Sequence, residues 1–398
     1  FDSWQFIRGH ECDPWRADDL AVPPDWAAVM LERWVGPWVG MVEQYVRNVQ
    51  GFEREEHFFG PQVMAGVVEW LGRNAGSRFY LHVDSFDVHE PFHVPEPYRS
   101  LYSDDDYRRY SPWPHYGRTD EGNSALEPEE VAWVRAQFAG KLTMVDRWLG
   151  RVFDTLEDEQ LWDRTAVIVT TDHGHYLGEH GWIGKPAAPL YDTLCRIPLL
   201  AWLPGGSSGT RTSAITQTVD LHATALDLLG FGAPDPATTH SRSFAHLMRD
   251  PDASHRPFAT YGYYGQSTGI TDGDWTLLRD HDPARAAAHL HTHHPTQVRL
   301  GAPRGHQRVP LGELSAGRLP GLATPIWRMP HEPRLYGVTL PRPDLLFHQA
   351  DDPEQEHDLA HDHPEVVTRL EQTLSQYLAT LQAPAEITTR LKIGSAEQ

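Results

Sequence analysis

The sequence predicts a layered α/β domain followed by a smaller antiparallel α+β domain. Amphipathic helical segments alternate with short apolar runs, and the β-branched run at residues 165–171 lacks the polar alternation of a half-exposed strand. From about Pro257 the chain changes to short aromatic or alternating segments, which are typical of antiparallel strands. We therefore expect one domain over residues 1–256 and a second over residues 257–398.

The first domain is predicted element by element. Residues 1–56 indicate irregular structure with short helices, Pro61 opens a helix, and residues 79–83 alternate like a short strand. Residues 129–157 predict a long amphipathic helix, whose core-facing positions are Val131, Val134, Phe138, Leu142, Val145, Leu149, Val152 and Leu156. Residues 165–171 predict a strand buried in a parallel sheet, residues 197–203 form a second apolar run, and residues 219–229 predict a helix ended by Gly230.

The second domain is predicted as a small antiparallel sheet covered by one helix. Its strands are expected at residues 258–264, 275–278, 334–340 and 345–348. Residues 280–333 are rich in Pro, Gly and His and predict an excursion or flexible loop. The apolar face of a helix at residues 364–381 should cover the sheet.

Charge and composition exclude several classes of partner. The 398 residues contain 34 Lys and Arg against 55 Asp and Glu, a net charge of −21 that repels phosphate backbones and anionic lipid. Nucleic acid is therefore not an expected partner. No apolar stretch approaches the roughly 20 residues of a membrane helix, so a membrane is not expected either. Two cysteines are too few for a disulfide framework, which leaves the compartment open, and the oligomeric state is open too.

Potential ligand groups follow the predicted strand at residues 165–171. The sequence from Thr170 is TTDHGHYLGEHGWIGK, which ends at Lys185. Asp172 and His173 offer a carboxylate and an imidazole side by side, and Lys185 adds a cation suited to an oxyanion. For an arbitrary Asp-His pair, a turn-capping aspartate and a solvent-facing histidine would be the better interpretation.

Several motifs in the same order resemble those of the sulfatase family in the alkaline phosphatase-like superfamily. The Thr-Asp-His-Gly, Gly-Glu-His-Gly and Lys185 sequence resembles its second metal-binding motif, and FYLHVDSFDVHEPF at residues 79–92 resembles a strand and loop that supply an active-site histidine, here His89. RIPLL at 196–200, VDLHATALDLLG at 219–230, LLF at 345–347 and DDPEQEHDLA at 351–360 resemble later family segments.

The resemblance implies a metal-dependent sulfuric ester hydrolase acting on a small-molecule or carbohydrate sulfate ester. Asp172 and His173 would bind a divalent metal, with Ca²⁺ expected and Mg²⁺ or Mn²⁺ as alternatives. Lys185 would bind the sulfuryl or phosphoryl oxygens, and His89 would contact or protonate the leaving oxygen. His82 and His175 receive no role.

The family's formylglycine nucleophile, in a Cys-x-Pro-Ser-Arg context, and its paired aspartates have no match here. We therefore expect an N-terminally truncated sulfatase, with the front of the α/β domain missing and these residues inactive by themselves. Cys12 lies in CDPWR, which fits only a loose version of the nucleophile pattern, and Cys195 is expected to be a small core residue.

Three alternatives remain open. A phosphodiester or phosphonate monoester hydrolase would use the same metal, lysine and histidine. A noncatalytic relative could retain the fold without the nucleophile. A separate cluster, consisting of His289, His291, His293 and His294, could bind transition metals, but adventitious binding without chemistry is the simpler interpretation.

Overall fold

The computed structural model describes residues 2–19, 25–34, 38–105, 109–186, 189–292, 312–315, 325–331 and 342–393. Its α-helices are α1 (Asp25–Arg33), α2 (Val39–Asn48), α3 (Phe59–Asn74), α4 (Pro128–Asp158), α5 (Asp192–Cys195), α6 (Asp220–Leu228), α7 (Pro236–Thr239), α8 (Pro364–Thr380) and α9 (Ala385–Arg390). Its strands are β1 (Gly117–Arg118), β2 (Val167–Thr170), β3 (Tyr176–Leu177), β4 (Trp182–Gly184), β5 (Leu199–Trp202), β6 (Ala259–Gly262), β7 (Thr268–Thr271), β8 (Trp275–Arg279), β9 (Ala288–Thr292), β10 (Glu313–Ser315), β11 (Ile326–His331) and β12 (Leu345–His348).

The chain forms two compact units. The first contains residues 1–165 and 177–184, and the second contains residues 166–176 and 185–398. These units are defined by contacts between residues. The domain boundary at residue 256 stays a prediction. The mixed α/β composition with antiparallel sheets in the C-terminal region confirms the predicted fold class.

The first unit is built around the packing of α3 against α4. The long helix was predicted correctly, and Val134, Val152 and Leu156 are buried as expected, but the placement of Leu142 was wrong. Leu142 is 48% exposed, while Lys141 beside it is only 5% exposed. The buried face follows Trp133, Met144 and Trp148, because these larger side chains fill the interior and Lys141 finds an ionic partner there.

The predicted parallel pairing of the strand before Asp172 was wrong. In the second unit β2 pairs antiparallel with β5, from Val167 opposite Trp202 to Thr170 opposite Leu199. Neither strand is buried on both faces, and Leu200 of β5 is 62% exposed. A run of β-branched residues favours a strand, but it does not encode the direction of the neighbouring strand.

Two further expectations also need correction. The structure assigns no strand to residues 79–83, although they belong to the described part of the chain. Residues 280–333 are not simply a loop, since β9, β11 and β10 form an antiparallel sheet in the order β10-β11-β9. The strand predicted at residues 334–340 lies outside the described residues.

The C-terminal sheet and its covering helix confirm the prediction. Four antiparallel strands lie in the order β12-β8-β7-β6, of which β7 was not predicted. Leu370 and Leu374 of α8 pack with Ile270, Leu277 and Leu346 of the sheet in one buried cluster. Across the described ranges no helix has the length and apolar character needed to cross a membrane.

Candidate functional site

The Asp172–His173 loop begins directly after β2 and is shaped by a close backbone approach at Gly174. The Gly174 N–H donates to the Leu194 carbonyl over 2.8 Å. A Cβ atom at Gly174 would lie 2.0 Å from the Thr193 carbonyl oxygen, closer than atoms can approach. Glycine is therefore required at this position of the Thr-Asp-His-Gly motif, since only a residue without a side chain permits the contact.

Asp172 and His173 place their ligand atoms side by side. His173 Nδ1 lies 2.8 Å from the Gly174 carbonyl oxygen. Because a carbonyl only accepts, Nδ1 bears the hydrogen, and Nε2 is the ligand nitrogen of the neutral ring. Nε2 lies 3.2 Å from Asp172 Oδ2, with the His173 and Asp172 side chains 40% and 80% exposed. This accessible oxygen and nitrogen pair fits two ligands of a divalent metal ion.

The segment after the Asp172–His173 loop is fixed by a buried tyrosine. The Tyr176 hydroxyl donates to the Pro189 carbonyl over 2.7 Å and accepts from the Tyr191 N–H over 3.1 Å. Burial raises the pKa of Tyr176 well above its usual range, so this residue acts as a neutral hydrogen-bonding anchor. Lys185 is half-buried and belongs to the same unit as Asp172 and His173.

His89 lies in the first unit, on a loop that precedes α4. Its Nδ1 lies 2.8 Å from the Glu90 carbonyl oxygen, which assigns the Nδ1 hydrogen and leaves Nε2 as the second ring nitrogen. Phe86 stacks on the ring with 4.2 Å between the ring centroids. Carboxylate oxygens of Glu11 and Glu90 both lie 3.5 Å from Nδ1. These carboxylates favour a positive charge on the imidazole.

The His89 loop is held by a buried ion pair that sequence analysis missed. Lys141 Nζ lies 2.6 Å from Asp87 Oδ1, and the two side chains are 7% and 3% exposed. The ammonium also donates to the carbonyls of His89 over 2.7 Å and Pro91 over 3.1 Å. Asp87 Oδ2 in turn accepts from the Gly60 N–H of α3 over 2.7 Å.

A small cleft beside His89 brings together other groups that were not predicted. Its lining includes His10, Glu11, Asp87, Glu90 and Lys141. Burial, the largest effect on His10, lowers the pKa of its imidazole below the usual value. The Glu11, His89 and Glu90 side chains have ligand atoms within 4.8 Å of one another, the spacing of a possible metal cluster. The sequence offered no clear signal for these groups, because the predicted core face of the long helix contained Leu142 and not Lys141.

The secondary candidates that lie within the described residues are Cys12, Cys195, His289 and His291. Cys12 is exposed. Cys195 is only half-buried, and burial raises the pKa of its thiol to about 12, so it is protonated near neutral pH. His289 lies 3.1 Å from Glu386 Oε1 and His291 lies on β9, whereas His293 and His294 fall outside the described residues.

The fold is similar to that of solved proteins named as a sulfatase and as phosphonate monoester hydrolases. A phosphonate monoester hydrolase from Silicibacter pomeroyi superposes with a TM-score of 0.55 at 20% identity, covering 82% of this chain and 61% of that one. The sulfatase family model matches residues 49–231, a range that contains His89, Asp172, His173 and Lys185. This match agrees with the resemblance of the sequence motifs to the sulfatase family.

Two curated relatives are similar to parts of this chain. The multifunctional alkaline phosphatase superfamily protein PehA of Trinickia caryophylli is 30% identical over 193 residues, which are 42% of this chain and 37% of PehA. The N-acetylglucosamine-6-O-sulfatase of Bacteroides thetaiotaomicron is 32% identical over 153 residues, which are 37% of this chain and 27% of that protein. The chain thus spans well under half the length of these relatives.

Proposed function

We propose that these residues form part of the active site of a metal-dependent sulfuric ester hydrolase. Asp172 and His173 act as metal ligands, Lys185 binds the sulfuryl oxygens, and His89 meets the leaving oxygen. The main support is the paired Asp172 Oδ2 and His173 Nε2 atoms, 3.2 Å apart on an accessible loop within the region that matches the family. An ester of sulfate with a small molecule or carbohydrate is the proposed substrate, by analogy with the named activity of the Bacteroides relative.

The chemistry of ester cleavage explains why these residue types belong together. Breaking a sulfur–oxygen bond increases negative charge on the nonbridging and leaving oxygens. A bound divalent metal would act as a Lewis acid that offsets part of this charge. The Lys185 ammonium binds and orients the nonbridging oxygens, which is the role of a preorganised cation. The formylglycine nucleophile implied by the resemblance is assigned to no residue of this chain.

His89 is suited to deliver a proton from Nε2. Its Nδ1 hydrogen is directed to the Glu90 carbonyl, so the ring is oriented through one nitrogen and reacts through the other. The proton transferred from Nε2 would neutralise the leaving alkoxide or phenoxide. The 3.5 Å distances to Glu11 and Glu90 support the imidazolium form that this transfer needs.

The two proposed ligands do not select a single metal ion. A carboxylate oxygen suits Ca²⁺, Mg²⁺ and Mn²⁺ alike, while Ca²⁺ sites in proteins are built mainly from oxygen ligands. The imidazole nitrogen of His173 is therefore an unusual ligand for calcium. Reloading the metal-free full-length protein with each ion separately would establish which one restores sulfate release.

A phosphonate monoester or phosphodiester hydrolase is the second candidate function. It is favoured by the match to the phosphonate monoester hydrolase fold and by the name of PehA. Side-by-side rates on an aryl sulfate, an aryl phosphonate monoester and an aryl phosphodiester distinguish the candidates. The sulfatase proposal expects the highest kcat/KM on the sulfate; a preference for either phosphorus ester would favour the second candidate, and no turnover of any would favour a noncatalytic relative.

His89→Ala in the full-length protein tests the proton-transfer role. Esters with basic, poor leaving groups should slow by about 10²–10⁴-fold, while activated aryl esters change little, because only the former need a proton. His361→Ala, at a histidine that is fully exposed, is the matched control and should leave both rates unchanged. An equal loss on good and poor leaving groups would show that His89 binds substrate without acting as an acid.

A further inference from the structure

We propose that Lys141 is a positioning residue for His89, holding residues 87–91 so that the imidazole faces the substrate in one orientation. This inference rests on the proposed role of His89 at the leaving oxygen. Lys141 itself lies on α4 and would act through the loop, without touching the reacting atoms. The resemblance to the sulfatase family attached no role to this lysine.

The contacts of Lys141 converge on the loop that presents His89. An ammonium group has three N–H donors. Its nitrogen lies 2.6 Å from Asp87 Oδ1, 2.7 Å from the His89 carbonyl oxygen and 3.1 Å from the Pro91 carbonyl oxygen. The three acceptors flank or belong to the histidine itself. Fixing the carbonyl of His89 together with groups two residues before and two residues after it restricts the backbone from which the imidazole projects.

A second helix completes the arrangement through Asp87. The carboxylate that pairs with Lys141 also accepts from the Gly60 N–H in the first turn of α3, where it satisfies one of the otherwise unpaired N–H groups. A Cβ atom at Gly60 would lie 2.6 Å from Asp87 Oδ2, so glycine permits this close approach. The His89 loop is thereby attached to both α3 and α4, which pack directly against each other.

Burial favours a positioning role over a purely stabilising one. The Lys141 and Asp87 side chains are 7% and 3% exposed, so both charges have lost most of their hydration. A buried ion pair of this kind often contributes little net stability compared with apolar residues of similar volume. The main effect of this ion pair is geometric, because only one arrangement of the loop gives both charges their hydrogen-bonding partners.

The test is a double-mutant cycle in the full-length protein. Lys141→Met is combined with Asp87→Asn, which avoids leaving one charge buried alone, and kcat is measured on phenyl sulfates with leaving phenols of increasing basicity. A misplaced His89 should slow the most basic leaving group by up to about 100-fold and the activated one little. In the His89→Ala background the same pair of substitutions should change neither rate by more than about 2-fold, as expected when residues act as a unit.

Controls separate positioning from loss of folding. Arg147→Met removes a more exposed cation from the same helix and should leave the leaving-group dependence unchanged. If the paired variant does not fold, Lys141→Arg is measured on the same series, and a partial loss on basic leaving groups supports the inference. Equal losses on all leaving groups, or a full additional loss in the His89→Ala background, would overturn it. If His89→Ala slows esters with basic and with activated leaving groups equally, both the proposed role of His89 as an acid and the Lys141 inference are refuted.

Discussion

Gly174 determines how closely the Asp172–His173 loop approaches Thr193. Gly174→Ala should weaken metal binding by about 10–100-fold. The added methyl group would push residue 174 away from the Thr193 carbonyl and so displace the carbonyl of residue 174 itself, which orients the His173 ring. Isothermal titration of the metal-free protein measures the change. Gly76→Ala is the control, since nothing lies within 4 Å of a Cβ atom at that position. Unchanged affinity in the Gly174 variant would mean that the loop tolerates the displacement.

Asp220 illustrates a buried charge whose effect is on stability. Burial opposes its ionisation, but hydrogen bonds from Arg256, Arg242 and Gln217 outweigh burial and hold the pKa of the carboxyl below its usual value. The folded protein therefore keeps this group ionised at pH values where the unfolded chain is protonated. Its contribution is present above about pH 4 and is lost as the pH falls through the folded pKa.

Asp220→Ala should consequently lower the free energy of unfolding by about 3–5 kcal/mol near neutral pH, since Arg256 is left without its partner in the interior. The deficit should shrink below about pH 4. Denaturant titrations across the pH range measure both effects. Asp227→Ala removes an exposed carboxylate of the same helix and should change stability by less than about 1 kcal/mol. A deficit that does not depend on pH would contradict the assignment.

At the level of single residues, local motifs were predictable and tertiary partners were not. Asp172 and His173 are adjacent in sequence, so the chain itself brings them together, and the motif alone was enough to propose them as a pair. Asp87 and Lys141 lie on separate elements and meet because α3, α4 and the His89 loop pack together. A charged residue at a core-facing position signals a buried partner, but it does not say which residue that is.

Among the elements, α8 provides the most direct test of the C-terminal core. Leu374→Ala should destabilise the protein by about 2–5 kcal/mol, because the fully buried side chain packs against the sheet and its removal leaves a cavity. Gln376→Ala, at an exposed position of the same helix, should have little effect. Chemical denaturation measures the difference. Equal stability of the two variants would show that the helix does not cover the sheet in solution.

The elements also show which sequence patterns were informative. Helical periodicity located α4 and α8, because apolar residues at steps of three and four must lie on one face. One position of α4 was misjudged, since Lys141 is buried and the neighbouring Leu142 is exposed. The direction of β2 was misjudged because an apolar run is compatible with parallel and antiparallel neighbours alike.

On the scale of the whole molecule, the four proposed site residues divide between the two compact units. His89 belongs to the first unit, and Asp172, His173 and Lys185 belong to the second. The match to the sulfatase family model includes residues of both units. The two curated relatives extend well beyond the regions that align with this chain. Activity assays of the proposed site therefore belong with the full-length protein.

The most direct measurement of the central proposal combines metal content with sulfate release in the full-length protein. Asp172→Ala should lose the bound metal and the hydrolysis of an aryl sulfate together, because an anionic ligand is removed that neighbouring charges do not replace. Asp274→Ala, at an exposed aspartate of the same unit, should retain both. Elemental analysis and the sulfatase assay are made on the same preparations. Full metal content and full activity in the Asp172 variant would contradict the proposed site.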